Sequence, residues 1–517
     1  MKWSTHRAGS SKIDAIRTAS CSPKGDHALM LRFIFLVLCS VLAGCDALVE
    51  RAPQTTVNGT LLDRATARPD PAFSFELVRT HDLGELATGY TLRLTSQTWR
   101  DESEVSHPVW THNLQIVRPA EPDSTTALLV ISGGSRTNES PSKIDDTLLQ
   151  LAQATRSVCV LLPNVPNQPL AIIDHEDPSG EVGRREDDLI AQSWVRAIRT
   201  QDAGWVAQIA MVKSAIAAMD ATQEFLAQQP EPLTIDGFLV TGASKRGWTT
   251  WLTGAVDDRV RGLMPIVIDT FDLPASIEHH WSAYGAWSPA IHDYTDRELF
   301  RPLGSKRGRV VRENVDPYLY RNRFTMPKFL LNSTGDQFFL PDSVQHYLDD
   351  LPGLTRLRFV PNTDHDLDFD GDEQPEGHQS AMESLVGFSE ALEHDRPLPS
   401  LHWLHAVGVN LSGSGPCRAQ LSIRCDQQPK HVTLWEAFNP DTRDFRQSSI
   451  GNAWSATPLT PTRDHRAVGH VEIPGSGYRA YFIEARFDIP DQDMDVTFTT
   501  PVYITPDTMP FAGAPIR

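Results

Sequence analysis

Between Ile235 and Gly247 an apolar segment, Ile235-Asp236-Gly237-Phe238-Leu239-Val240, runs into Gly242-Ala243-Ser244-Lys245-Arg246-Gly247, and a helix-like stretch follows from Trp248. Few structures accept that string except a short strand turning abruptly into a helix. Gly242 and Ala243 leave room for a tight turn, which holds the Ser244 hydroxyl over the C-terminal edge of a sheet. The N–H groups of the first helical turn then face any anion that forms there. The same residues also suit a serine that merely caps a helix, so the two roles separate only on what the rest of the chain supplies.

Around this turn the pattern is that of a layered α/β domain. Residues 50–118 alternate polar and apolar positions, as in Tyr90-Thr91-Leu92-Arg93-Leu94-Thr95, and read as antiparallel strands. From about residue 126 the apolar runs become continuous: 127–132, 158–162, 237–241, 263–268, 328–332 and 357–360. Runs of this kind suit parallel strands buried on both faces, with a periodic helix over 209–226 between them. Two intervals exceed a simple crossover, 163–201 and 272–324. The second is rich in Trp, Tyr and His, and is either a pocket-forming insertion or a structural cap packed by its own aromatics. After Pro397-Leu398-Pro399 the residues 400–517 are almost helix-free, with short alternating segments expected to form a small all-β sandwich. The expected organisation is a signal segment at 1–45, an α/β domain at 50–398 and a β-rich domain at 400–517.

A serine nucleophile needs a histidine to take its proton and a carboxylate to orient that ring. Downstream, the run Lys328-Phe329-Leu330-Leu331-Asn332 opens into Ser333-Thr334-Gly335-Asp336, and Leu357-Arg358-Phe359-Val360 opens into Pro361-Asn362-Thr363-Asp364-His365. Acid and histidine thus follow the last two strands, in the chain order Ser, Asp, His of α/β-hydrolases. Upstream, Ile131-Ser132 ends in Gly133-Gly134-Ser135, where N–H groups of Gly134 and Ser135 are candidates to join that of Lys245 in an oxyanion hole. Taken singly, Asp336 is also an ordinary loop cap, His365 a surface ring and Gly133-Gly134 a plain turn. Jointly they arrive in the right order after the right strands.

The turn departs from the usual pattern in carrying Arg246 where a second glycine is customary. Lys245 and Arg246 either recognise an anionic substrate or pair with Glu186, Asp187 or Asp188. With Val165-Pro166-Asn167-Gln168-Pro169-Leu170, Glu186-Asp187-Asp188-Leu189-Ile190, Pro361-Asn362 before His365, and Gly477-Tyr478 followed by Ala480-Tyr481-Phe482-Ile483-Glu484, the sequence resembles the PhoPQ-activated pathogenicity-related proteins and their autocrine proliferation repressor-like relatives. That resemblance implies an α/β-hydrolase core with Ser244, Asp336 and His365 in the catalytic positions. It also implies links to virulence and, in some members, dipeptidyl-peptidase-like activity. Asp364 stands where that family typically has glycine, and Asp366-Leu367-Asp368-Phe369-Asp370-Gly371-Asp372 follows. This string is either a solvated acidic loop or the start of a calcium loop, with Gly377 where the bidentate glutamate belongs. Nearby carboxylates are expected to raise the His365 pKa.

The N-terminal stretch Met30-Leu31-Arg32-Phe33 to Ala43-Gly44-Cys45 is basic, then apolar, then small, which reads as a secretory signal with Met30 as its start. Leu42-Ala43-Gly44-Cys45 looks like a bacterial lipobox, which would lipidate Cys45 and place the protein in the cell envelope without a spanning helix. Asp46 favours inner-membrane retention where that sorting rule applies. The formal net charge is −19, and more negative still without residues 1–45; such a surface disfavours nucleic acid. Cys417 and Cys425 are close enough in sequence to form a disulfide, and Cys159 reads as a core residue. No cofactor motif is present. The expected function is a lipid-anchored serine hydrolase acting on a small-molecule or peptide ester or amide. Alternatives are a carbohydrate esterase, or a non-catalytic binding protein on the same fold.

Overall fold

The computed structural model describes residues 57–67, 69–367, 376–409, 418–488 and 495–514. The segment 1–45 with Cys45, Cys417 and the acids from Asp368 to Asp372 lie outside them. The larger domain is built on nine strands: β1 (Ser74–Asp82), β2 (Ala87–Thr98), β3 (Val109–Pro119), β4 (Thr126–Ile131), β5 (Cys159–Leu162), β6 (Gly237–Ala243), β7 (Val260–Ile266), β8 (Lys328–Ser333) and β9 (Thr355–Val360). They form one sheet in the order β1-β2-β3-β5-β4-β6-β7-β8-β9. Pairing is antiparallel from β1 through β3 to β5 and parallel from β5 onward.

The parallel strands are apolar along their whole length because both faces are covered. Every residue of β8 is buried, and all of β6 except Ala243. Side chains of a strand alternate between faces, and here each face has its own core. Phe238 and Val240 join one core with residues of α1 (Leu61–Thr66), α3 (Glu186–Thr200), α4 (Ala207–Ala227) and α5 (Lys245–Val256). Leu239 between them joins the other, with α2 (Asp146–Thr155) and the helix Glu376–Glu393. α4 is buried on most of its surface, and its alanines, among them Ala210, Ala215 and Ala218, let it lie close to its neighbours. The run expected at 263–268 begins and ends earlier in the structure: β7 stops at Ile266, and Val267 turns out of the strand with φ 44°. This strand order, with crossover helices on both faces, is the α/β-hydrolase arrangement.

From Leu401 the chain is antiparallel: β10 (Leu401–Val409), β11 (Arg418–Cys425), β12 (His431–Asn439), β13 (Ser455–Leu459), β14 (Arg466–Glu472), β15 (Tyr478–Asp488), β16 (Asp495–Thr499) and β17 (Tyr503–Thr505). One sheet runs β10-β11-β14, the other β13-β12-β15-β16 with β17 also on β15. Leu421, Ile423 and Val471 of the first share a core with Leu434, Ile483 and Ala485 of the second, giving the expected sandwich. It docks on the edge of the larger sheet. The Phe359 N–H of β9 donates to Thr499 Oγ1 at 3.1 Å, and Phe498 meets Phe329 with ring centroids 5.9 Å apart. Cys159 and Cys425 are free, buried thiols.

Candidate active site

Ser244 sits at φ 57°, ψ −126°, in the left-handed region that a non-glycine residue rarely adopts. The strained residue is fixed on both sides: its N–H donates to Ile266 O at 2.8 Å, and its carbonyl accepts from Trp248 N–H at 2.9 Å, starting α5. Two glycines make the sharp turn physically accessible. A Cβ on Gly242 would lie 2.9 Å from the Arg246 backbone, and one on Gly247 would lie 2.8 Å from Gly242 O and 2.6 Å from Ile268 Cγ2. The close approach expected of a second glycine at position 246 is therefore supplied by Gly247. Arg246 instead extends sideways, donating from Nε to Val165 O at 2.6 Å and pairing with Glu186 at 2.7 Å.

The three residues picked out after separate strands meet at one sheet edge. Ser244 Oγ is 2.8 Å from His365 Nε2, and His365 Nδ1 is 2.8 Å from Asp336 Oδ2. Asp336 is 3% exposed, and its other oxygen accepts the N–H groups of Phe338 and Phe339 at 2.7 and 3.2 Å. The His365 N–H donates to Gln337 Oε1 at 3.2 Å, and the Phe338 ring packs on the imidazole at 4.3 Å. Burial disfavours a charged His365, but the charge and hydrogen bond of Asp336 outweigh it and raise the pKa above 6.5. Lys245 pulls the other way, and Asp366 adds a smaller push upward. The rise expected from the acidic string thus comes mainly from Asp336.

The oxyanion residues divide. Lys245 opens α5 beside Ser244, where first-turn N–H groups have no intrahelical acceptor, and both residues line one cavity. Gly134 and Ser135 line a neighbouring polar cleft with Asn164 and Arg136; the Gly134 carbonyl accepts from Gln168 Nε2 at 3.0 Å. The Arg246 guanidinium lies against Gly133 on that side. Lys245 Nζ is 3.0 Å from both Glu186 Oε2 and Asp187 Oδ2. Burial works against the Glu186 charge, yet Arg246 and Lys245 hold its pKa down at about 2. The basic residues of the turn are therefore paired internally with Glu186 and Asp187. Asp188 instead meets Arg184 and Arg297.

A cavity opens beside Ser244. Its far walls come from the aromatic insertion, with Leu273, Ile277, Trp287, Tyr294 and Phe300 facing Trp194 and Trp248. The insertion thus shapes a pocket and is not merely a cap. The Tyr294 hydroxyl donates to Asp187 at 2.7 Å. Asp269, at the end of the β7 edge, also lines the cavity. Burial pushes its carboxyl up to about 7; the Tyr347 hydroxyl opposes the rise, and Asp336 and Asp342 add to it.

Sequence reasoning missed the part played by the β-rich domain. Its segment 439–454 grips the loops that carry Asp336 and His365. Gln447 N–H donates to Gly335 O at 2.9 Å, next to Asp336. Asn362, three residues before His365, exchanges two hydrogen bonds with the Trp454 backbone. Arg443 reaches buried Asp342 at 2.5 Å, and His279 of the insertion faces the same carboxylate at 3.3 Å. Pro361-Asn362 was visible as a motif, but nothing local signals a partner 92 residues away. Among the described residues no group of three or more His, Cys, Asp or Glu is placed to hold a metal ion, and no helix is long and apolar enough to cross a membrane.

A family model described as PhoPQ-activated pathogenicity-related protein matches residues 62–446. The chain is 33% identical over 506 residues to autocrine proliferation repressor protein A of Dictyostelium discoideum, covering 94% of this chain and 96% of that protein. Among solved structures it is similar to acetyl xylan esterase 1 from a Thermoanaerobacterium species, at 16% identity and a TM-score of 0.40, covering 63% of this chain and 91% of the esterase. It is also similar to a glucuronoyl esterase from Solibacter usitatus, at 14% identity and a TM-score of 0.36, covering 63% and 87%.

Proposed function

This chain belongs to the PhoPQ-activated pathogenicity-related protein family, and from that premise we propose that it is a serine hydrolase cleaving an ester or amide through an acyl-enzyme. The observation that carries the reading is the position of His365, 2.8 Å from Ser244 on one ring nitrogen and from Asp336 on the other. Ser244 Oγ attacks the substrate carbonyl carbon while His365 Nε2 takes its proton. Asp336 holds the ring in the tautomer that leaves Nε2 free to accept, and steadies the imidazolium. The oxyanion of the tetrahedral intermediate is met by the Lys245 N–H at the start of the helix that follows Ser244. The bond to the leaving alcohol or amine then breaks as His365 returns the proton to it. Water, deprotonated by the same nitrogen, attacks the acyl-enzyme, releases the acid and restores Ser244.

Labelling with an active-site fluorophosphonate tests this directly. Folded wild-type protein should be labelled and Ser244→Ala should not. Absence of label on folded wild type would instead support a binding protein on this fold. We further propose that the mature chain begins at a lipidated Cys45 in the cell envelope. Metabolic incorporation of labelled palmitate, lost in Cys45→Ala, tests that part separately.

A further inference from the structure

Most polar groups lining the Ser244 cavity already have partners within the protein. Asp187 accepts from Tyr294 and faces Lys245. His280 Nε2 accepts from Ser288 N–H at 3.1 Å, and the Ser276 hydroxyl donates to Phe271 O at 2.8 Å. Two consecutive residues of the wall differ. Asp269 Oδ1 and Thr270 Oγ1 are buried and have no hydrogen-bond partner among the described residues, although Asp269 is 3% and Thr270 8% exposed. Leaving a buried carboxylate oxygen unmet is costly, and such a group calls for a bound partner. The neighbouring acids have charge partners at close range, Asp336 with His365 at 2.8 Å and Asp342 with Arg443 at 2.5 Å. Among the described residues Asp269 has only the Tyr347 hydroxyl. The rest of the wall is dominated by indole, phenyl and aliphatic groups, which suit an apolar body with a single polar point.

We propose that this cavity binds a substrate group with an apolar body and one hydrogen-bond donor, a hydroxyl or an ammonium, and that Asp269 with Thr270 receives the donor. The inference rests on the cavity being the substrate's, but it concerns binding and not turnover.

The test is therefore run on Ser244→Ala protein, by ligand-observed NMR titration with three molecules of one shape. These are 4-methylbenzylamine, 4-methylbenzyl alcohol and 4-ethyltoluene. The affinity of at least one donor-bearing ligand relative to 4-ethyltoluene should fall tenfold or more when Asp269→Leu is added, with 4-ethyltoluene still bound. The amine and alcohol arms distinguish ammonium from hydroxyl; Asp269→Asn should weaken the amine and spare the alcohol. An unchanged relative affinity for both donors in Asp269→Leu would overturn the proposal, as would failure of all three to bind the folded parent. Fluorophosphonate labelling of wild type is unaffected by either result, so failure here and failure of the hydrolase reading are separable.

Discussion

Asn362 and Trp454 bind each other in both directions: the Trp454 N–H donates to Asn362 Oδ1 at 2.9 Å, and Asn362 Nδ2 donates to Trp454 O at 3.0 Å. One residue belongs to the loop that carries His365, the other to the β-rich domain. The asparagine adopts φ 55°, a conformation it tolerates better than most side chains. The position of the proposed base therefore depends on a domain that contributes no group to the proposed chemistry. Asn362→Ala is expected to lower kcat substantially while leaving the cavity, and hence KM, nearly unchanged. Steady-state kinetics with a nitrophenyl ester check the split.

The same dependence predicts the behaviour of Arg443→Leu. It leaves Asp342, a buried carboxylate, with His279 as its one remaining ion-pair partner among the described residues. Breaking one side of a buried pair costs roughly 3–5 kcal/mol, and urea denaturation should show a loss of that order.

Activity should fall on the acid side. His365 must be neutral to take the Ser244 proton, and its pKa is raised above 6.5 by Asp336 against burial. The acid limb of kcat/KM is expected to have its midpoint above 6.5, with the rate lost as pH drops through it. Asp336→Asn removes most of what raises the value and leaves burial and Lys245, which lower it, against the smaller upward push of Asp366. The midpoint should move down, and kcat should fall by about 10⁴-fold, as loss of the orienting acid does in such triads. A midpoint unmoved by Asp336→Asn would contradict this account.

The turn itself can be probed with two glycines of α5. Gly247→Ala forces a Cβ to 2.8 Å from the Gly242 carbonyl and 3.1 Å from that of Ile266, both backbone atoms. A cost of about 1–3 kcal/mol is expected, with loss of fluorophosphonate reactivity. In Gly254→Ala the atoms nearest the new methyl, at 2.8 Å, are the ends of the Leu263 side chain, which can shift where a backbone cannot, and better helix propensity, about 1 kcal/mol, offsets part of the crowding. Comparing the two by denaturation separates backbone clash from ordinary packing.

How much was readable in advance follows from the range of each interaction. Ser244, Asp336 and His365 could be picked out because each stands just after an apolar strand, and the sheet brings strand ends together whatever lies between. The exchange of Gly247 for the usual glycine needed the crossing of β6 and α5 in space. Internal pairing of Lys245 and Arg246 was one of two open readings, settled by where α3 begins. Asn362 with Trp454 and Asp342 with Arg443 were illegible, because such contacts follow from how two separately patterned domains meet.

Three consecutive acids at the head of α3 divide the work: Glu186 meets Arg246 and Lys245, Asp187 meets Lys245 and Tyr294, and Asp188 meets Arg184 and Arg297. The insertion is for this reason a poor candidate for grafting. A version borrowed from a relative must bring its own phenol and guanidinium to that helix end, or the transplant disturbs the footing of Ser244 along with the pocket it was meant to replace.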